Sequence, residues 1–395
     1  MIGHTMEYVL VVGVLVAVFV GYNIGGATTG VSFGPAVGAR VLTSVGAAVL
    51  MSICFFVGGW IVGPAVVETL GEGIVEEGVL TLNTGIIVMF FIGASLYFGN
   101  YFGVPASTSM TAVGSIAGLG LATGTLQWDM MGRIVSWWIV APVLAFWICG
   151  VVGRYWYPTI NRMIAIPARD TNLFQLDTTG TVPRLTMASG TDRRELGGSL
   201  MVIAIGCYMA FSSGASNVAN AVAPLVGSGA VTMNAGVLIA CIAVAIGAFT
   251  IARRTIATMA NDVTALPLTA AIVVMGVSAT IVTGLSAIGI PVQLVIVATM
   301  AIIGLGWGRA TRTSKVSEAV TGAAETQVTT GALGADEVGE ALPRIGEEKP
   351  KDLPRTADLF DPSTTARVIL IQNLVPVIAT IGAFLTFALF PGLVL

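Results

Sequence analysis

The chain reads as an all-α membrane protein: a polytopic helical bundle of two inverted repeats with broken helices or re-entrant hairpins. Three observations predict this. Apolar residues make up 55% of the sequence and charged residues only 10%, against roughly 25% charged in soluble domains. The apolar residues fall into blocks long enough to cross a bilayer, which takes about 20 residues each. And a glycine-rich, uncharged cluster occurs twice: GYNIGGATTGVSFGPAVGA from Gly21 to Ala39, and GASNVANAVAPLVGSGA from Gly214 to Ala230.

Ten spans are expected. The first, 7–28, has no basic stretch ahead of it and no clear cleavage site behind it. It therefore reads as a span and not as a removed signal. Arg40 separates it from the second, 41–63, and Glu68, Glu72, Glu76 and Glu77 fill the loop before the third, 79–100. A proline turn at Pro105 opens the fourth, 107–123, and the fifth, 134–153, carries SWWIVAP (Ser136 to Pro142). The second half repeats the count with 198–212, 231–250, 265–287, 291–308 and 367–390. The expected domains are a first membrane repeat over 1–153 and a cytoplasmic linker over 154–197, with a second membrane repeat over 198–308. A cytoplasmic insertion rich in Ala, Gly, Thr and Glu, read as disordered, follows over 309–366, and the last transmembrane helix of the second repeat over 367–395.

Charge sets the orientation. Threading ten spans with the N-terminus outside places Arg40, Arg154, Arg162, Arg169, Arg184, Arg193, Arg194, Arg253, Arg254, Arg309, Arg312, Lys315 and Arg367 inside, and the glutamate loop outside. Only Arg133 disagrees. A multi-pass protein of the plasma membrane is expected, with loops 154–197 and 309–366 cytoplasmic.

The halves match in more than the opening cluster. The stretch led by Gly58, GWIVGPAVVETLGEGI, corresponds to the one led by Gly247, AFTIARRTIATMANDV. FGVPASTSMTAVGSIAGLGLATG, from Phe102, corresponds to IGIPVQLVIVATMAIIGLGWGRA, from Ile288. Five spans per half is odd, so tandem copies enter the bilayer in opposite senses, and inverted repeats with central helix breaks are a transporter architecture.

The candidate site follows from what hydrocarbon tolerates. Asn, Ser and Thr are costly at membrane depth unless they bind something or each other. The candidates are Asn23, Thr28, Thr29 and Ser32 in the first cluster, Ser107, Thr108 and Ser109 after Pro105, and Ser216, Asn217 and Asn220 in the second cluster. Hydroxyls, amides and the N–H groups of helix N-termini suit an oxyanion. The same residue types also glue membrane helices together. The expected solute is an inorganic oxyanion, phosphate or sulfate; nucleic acid is not an expected partner. The four cysteines are dispersed in apolar segments and the single histidine, His4, is near the N-terminus, so no metal site is read from them. No His, Lys or Asp accompanies the buried serines, which argues against an enzyme with a catalytic nucleophile.

At these residues the chain resembles the inorganic phosphate transporter (PiT) family, which includes sulfate permeases. GASNVANAVAPLVGSGA is similar to the family's repeated signature, G-A-N-D-V-A-N-A followed by a G-x-x-V-G-S-G-A run. FGVPASTSMTAVGSIAG resembles its G-x-P-V-S-T-T-H-x-x-V-G-A motif, and SWWIVAP its S-W-x-x-S-P segment. The resemblance spans the chain apart from its two cytoplasmic loops. It implies inverted repeats and uptake of a tetrahedral oxyanion coupled to Na⁺ or H⁺. The chain departs from the pattern in one chemical respect. The signature aspartate is Asn217 in the second copy, and Ile24 or Thr28 in the first, depending on register. After Pro291 the hydroxyls are replaced by Val292, Gln293, Leu294 and Val295. Any Na⁺ would have to use carbonyls, Asn, Ser and Thr. The expected function is secondary active transport of phosphate, with a sulfate permease of the same family and an anion channel as alternatives. No cofactor is expected beyond Na⁺ as coupling ion, and a homodimer is among the expected partners.

Overall fold

A computed structural model of the chain describes residues 2–102, 106–164, 174–177, 184–187, 193–250, 267–313 and 362–394. The helices are α1 (Ile2–Gly38), α2 (Ser44–Ile61), α3 (Gly63–Glu68), α4 (Leu82–Tyr101), α5 (Thr108–Thr123), α6 (Trp128–Val151) and α7 (Tyr157–Ile164). After a two-stranded antiparallel hairpin, β1 (Phe174–Asp177) and β2 (Arg184–Met187), come α8 (Arg193–Gly227), α9 (Met233–Thr250), α10 (Leu268–Ala287), α11 (Leu294–Ala310) and α12 (Pro362–Leu389). Eight of these helices are long and apolar enough to cross a membrane. Large apolar side chains such as Leu15, Ile61, Ile139 and Leu370 stay exposed on their outer faces, as lipid-facing surfaces do.

Each expected span has a helix. The fourth and ninth, however, are short: α5 has 16 residues and α11 has 17. At 1.5 Å per residue they reach about 25 Å, roughly one turn less than the apolar thickness. Helix extends into both ends of the expected linker. A π-helical turn over Val152–Trp156 and α7 carry helix on to Ile164, and α8 begins at Arg193. The Arg253–Arg254 loop and most of the 309–366 insertion lie outside the described residues.

The two glycine clusters do not break their helices. Both α1 and α8 run without interruption through them, with Pro35 and Pro224 four or fewer residues from the C-terminal ends. The glycines serve close approach instead. A Cβ built on Gly25 would lie 2.0 Å from the carbonyl oxygen of Val244, and one on Gly214 would lie 2.1 Å from that of Phe55. Reciprocally, a Cβ on Gly58 would lie 1.9 Å from the Phe211 oxygen and one on Gly247 2.0 Å from the Tyr22 oxygen. Small residues that let helix backbones touch are the usual means of packing helices in lipid. Contact order runs the same way along each pair: Gly21 meets Ala240 and Gly25 meets Ala248, while Gly58 on α2 meets Phe211 and, further along the chain, Gly71 in the π-helical turn Thr69–Gly73 meets Ala223.

These contacts display an internal correspondence. One constant offset relates Gly25 to Gly214, Pro35 to Pro224, Gly58 to Gly247, and the ends of α1 and α2 to those of α8 and α9. Helix pairing obeys it too: α1 packs on α9 as α8 packs on α2, and α5 packs on α12 as α11 packs on α6. Gly118 meets Thr380 on α12, and its counterpart Gly304 meets Phe146 on α6. Arg154 at the end of α6 donates to the carbonyl of Thr311, and Arg312 donates to the Arg154 carbonyl at 2.9 Å, which ties the ends of α6 and α11. The α2–α8 contact also brings together the thiols of Cys54 and Cys207, which sequence separation had kept apart.

One turn breaks the correspondence in kind. Arg40, after α1, has φ 58°, and its counterpart after α8 is Gly229 with φ 73°. The left-handed region costs a non-glycine residue roughly 1 kcal/mol. Arg40→Gly is expected to stabilise the fold by about that much, read as a rise in apparent Tm in detergent.

Candidate functional site

The loop before α11 and the first turn of α5 meet the middle of α8. Ser107 caps α5: its Oγ accepts from the Met110 N–H at 3.3 Å, and its hydroxyl donates to Gln293 Oε1 at 2.6 Å. Gln293 holds the same N-cap position on α11, yet makes no side-chain cap bond there. The two N-caps therefore touch each other across the halves. The first-turn N–H groups of both helices converge on this point, where helix geometry leaves them without intrahelical partners and the positive dipole ends lie.

Around this contact the polar groups form one network. Thr108 donates to Asn217 Oδ1, which also accepts from Asn220 Nδ2 at 3.0 Å. Asn217 Nδ2 donates to the Ser213 carbonyl at 2.8 Å and to Ser213 Oγ at 3.1 Å. Asn220 Nδ2 also reaches Ser109 Oγ at 3.3 Å. Ser109 and Ser216 donate to the Val292 carbonyl at 3.3 and 3.1 Å. The neighbouring Pro291 carbonyl accepts from Trp138 Nε1 at 2.8 Å, so the SWWIVAP motif fixes this loop. The Ser, Thr and Asn side chains of the network and Gln293 are buried, the most exposed being Thr108, at 5%, while Trp138 is half-buried.

Six of the ten sequence candidates thus share one site: Ser107, Thr108, Ser109, Ser216, Asn217 and Asn220. The first-cluster residues do not hydrogen-bond to it. Thr28 and Thr29 donate back to the carbonyls of Ile24 and Gly25 on their own helix, at 2.8 and 2.7 Å. Asn23 donates to the Phe19 carbonyl, and both its own carbonyl and its Oδ1 accept from Asn100 Nδ2, at 2.9 and 3.0 Å. Ser32 is fully buried with its hydroxyl unpartnered. In the correspondence of the halves Thr28 stands where Asn217 stands, and Leu294 stands where Thr108 does, so the counterpart of the Thr108–Asn217 pair has no hydroxyl on α11.

Gln293, Ser213 and Asn100 are residues that the candidate set missed. Gln293 had a signal, since it corresponds to Ser107 in the repeat and is polar in an apolar segment. Asn100 had only its polarity at the end of a span.

Among the described residues, no three His, Cys, Asp or Glu side chains come together as a metal site. A surface cleft of about 360 Å³ lies elsewhere, lined by Glu72, Glu76, Glu77, Asp129, Gln127 and Arg133 among others. Four carboxylates against one guanidinium repel an anion. The buried network has the opposite character: neutral donors, two helix N-termini and no carboxylate.

Comparison with known proteins shows the family and the fold. The model of the phosphate transporter family matches residues 24–334. The sulfate permease CysP of Bacillus subtilis is 30% identical over 297 residues, 75% of this chain and 77% of its own length. A putative phosphate permease of Mycobacterium bovis is 31% identical over 152 residues, 34% of this chain and 28% of its own. A solved structure described as the sodium-dependent phosphate transporter has the same fold, with TM-score 0.64 and 18% identity, covering 96% of this chain and 99% of that one. With the family model matched from the first glycine cluster through α11, the chain belongs to the phosphate transporter family.

Proposed function

We propose that the chain is a secondary active transporter of an inorganic tetrahedral dianion, with phosphate as its solute, in the plasma membrane. The observation that carries this is the side-chain contact between the N-caps of α5 and α11, one from each half, inside a buried network of neutral donors. Such an arrangement replaces the water shell of a dianion with N–H and O–H donors and two dipole ends.

The halves are read as inverted copies. The contact order supports this: α1 runs parallel to α9, and α8 parallel to α2. A tight turn joins α1 to α2, as short loops join antiparallel helices, so α1 and its counterpart α8 oppose one another. Rocking of one half on the other, with the site at their junction, is then the transport step. Na⁺ is the proposed coupling ion, held by amide, hydroxyl and carbonyl oxygens. The N-terminus is placed outside, on the distribution of arginines.

Sulfate is the second reading, favoured by one observation: the network has no carboxylate to accept the proton of hydrogen phosphate. The test is uptake of labelled phosphate and labelled sulfate into proteoliposomes, each against the other, with and without a Na⁺ gradient. The triple variant Ser107→Ala, Thr108→Ala and Asn217→Ala is expected to abolish uptake while remaining folded in the membrane. Undiminished uptake removes the site, and non-saturable flux without counterflow makes the protein a channel.

A further inference from the structure

We propose that Asn220 reads the proton on the solute and sets the site for a singly protonated dianion, hydrogen phosphate or hydrogen arsenate, over sulfate. The inference rests on the oxyanion-transport reading above and names the solute's protonation state.

Among the described residues of the network, two side-chain atoms are buried without a partner: Asn220 Oδ1 and Gln293 Nε2. Asn220 is 0% exposed and Gln293 4%. Their orientations are fixed by the surrounding bonds. The Ser213 carbonyl can only accept, so the atom of Asn217 facing it at 2.8 Å is Nδ2 and the other is Oδ1. That oxygen in turn needs a donor at 3.0 Å from Asn220, so Asn220 turns its Nδ2 inward and leaves Oδ1 over. On the other side, Ser107 Oγ already accepts the Met110 N–H as a cap. Its proton goes to Gln293, which presents Oε1 to it and leaves Nε2 over.

The network therefore holds one unpartnered acceptor, Asn220 Oδ1, and one unpartnered side-chain donor, Gln293 Nε2. Hydrogen phosphate matches both, with unprotonated oxygens for Gln293 Nε2 and the helix N–H groups, and its P–OH for Asn220 Oδ1. Sulfate has four acceptor oxygens and no donor, so it leaves Asn220 Oδ1 buried and unpaired. Sites built around a hydroxyl reject analogues that lack it for this reason. A neutral amide oxygen here takes the part expected of a carboxylate.

The experiment is competition in proteoliposomes of the full chain, with phosphate and arsenate as protonated probes and sulfate and selenate as unprotonated ones. Wild type is expected to favour the first pair by about tenfold or more. Asn220→Ser, which keeps a donor toward Asn217 and removes the amide acceptor, is expected to bring the ratio near one. Ligand-induced shifts in Tm give the same ratio from a transport-dead variant. If that variant does not fold, Asn220→Asp decides, because it keeps an acceptor oxygen and is expected to retain the preference. A wild type that favours sulfate and selenate, an Asn220→Ser ratio equal to wild type, or an Asn220→Asp variant without the preference overturns the proposal. An unchanged ratio with altered Na⁺ dependence would assign Asn220 Oδ1 to a cation. If wild type neither binds nor takes up any of the four probes, the oxyanion reading itself fails, which is a distinct result.

Discussion

Alanine in place of Asn217 is expected to cut oxyanion uptake by about 100-fold or more. Asn217 is the hub of the network: its Oδ1 accepts from Thr108 and Asn220, and its Nδ2 donates to Ser213. Removing it strips a partner from each of three groups. Each buried group left unpaired costs roughly 1–3 kcal/mol, and the first turn of α5 loses the Thr108 tie to α8, keeping only that of Ser109. The solute then meets donors that point at one another or at nothing. Initial-rate uptake of labelled phosphate and sulfate, normalised to folded protein in the vesicles, measures the effect. A variant within a few-fold of wild type for both anions would show that the network holds helices and does not hold solute.

Alanine at Gly58 and at Gly247, made singly and together, is expected to cost about 3 kcal/mol per site. A methyl group there would lie 1.9 and 2.0 Å from the Phe211 and Tyr22 carbonyl oxygens, on backbone that cannot give way as a side-chain tip does. Relief requires α2 to move off α8, and α9 off α1. Since those helices come from opposite halves, the cost falls on the joint between them. Thermal unfolding of purified protein, read by a size-exclusion profile, should show a lower apparent Tm for each single variant and loss of the monodisperse peak for the pair. Wild-type stability in both single variants would mean that the close helix contact is not a feature of the folded protein.

Membrane helices were legible because apolar blocks of sufficient length have few other uses in so uncharged a chain. The duplication was legible because prolines and glycines recur in order: Pro35 with Pro224, Pro105 with Pro291, Gly58 with Gly247. The reading of the glycine clusters as helix breaks failed. Glycine can end a helix or let another one approach, and residue type alone does not distinguish the two. Only the carbonyls of Val244 and Phe55, lying against Gly25 and Gly214, decide for approach.

The candidate site was half legible. Polar residues at membrane depth are visible in any sequence, so all ten candidates could be named. Whether a threonine turns inward to a partner or back to its own helix is a matter of what faces it. Thr108 faces Asn217, whereas Thr28 returns its proton to Ile24.

The sequence by itself determined that this is a helical membrane protein with neutral polar residues in its apolar segments, landmarks that recur in order and no carboxylate in either glycine cluster, because composition, spacing and order along the chain are one-dimensional facts. Only the tertiary structure decided which donors share a site and which atoms of it are left over. Hydrogen bonding depends on distance and direction between segments as remote in the chain as Ser107 and Gln293, and the packing of one half on the other sets both.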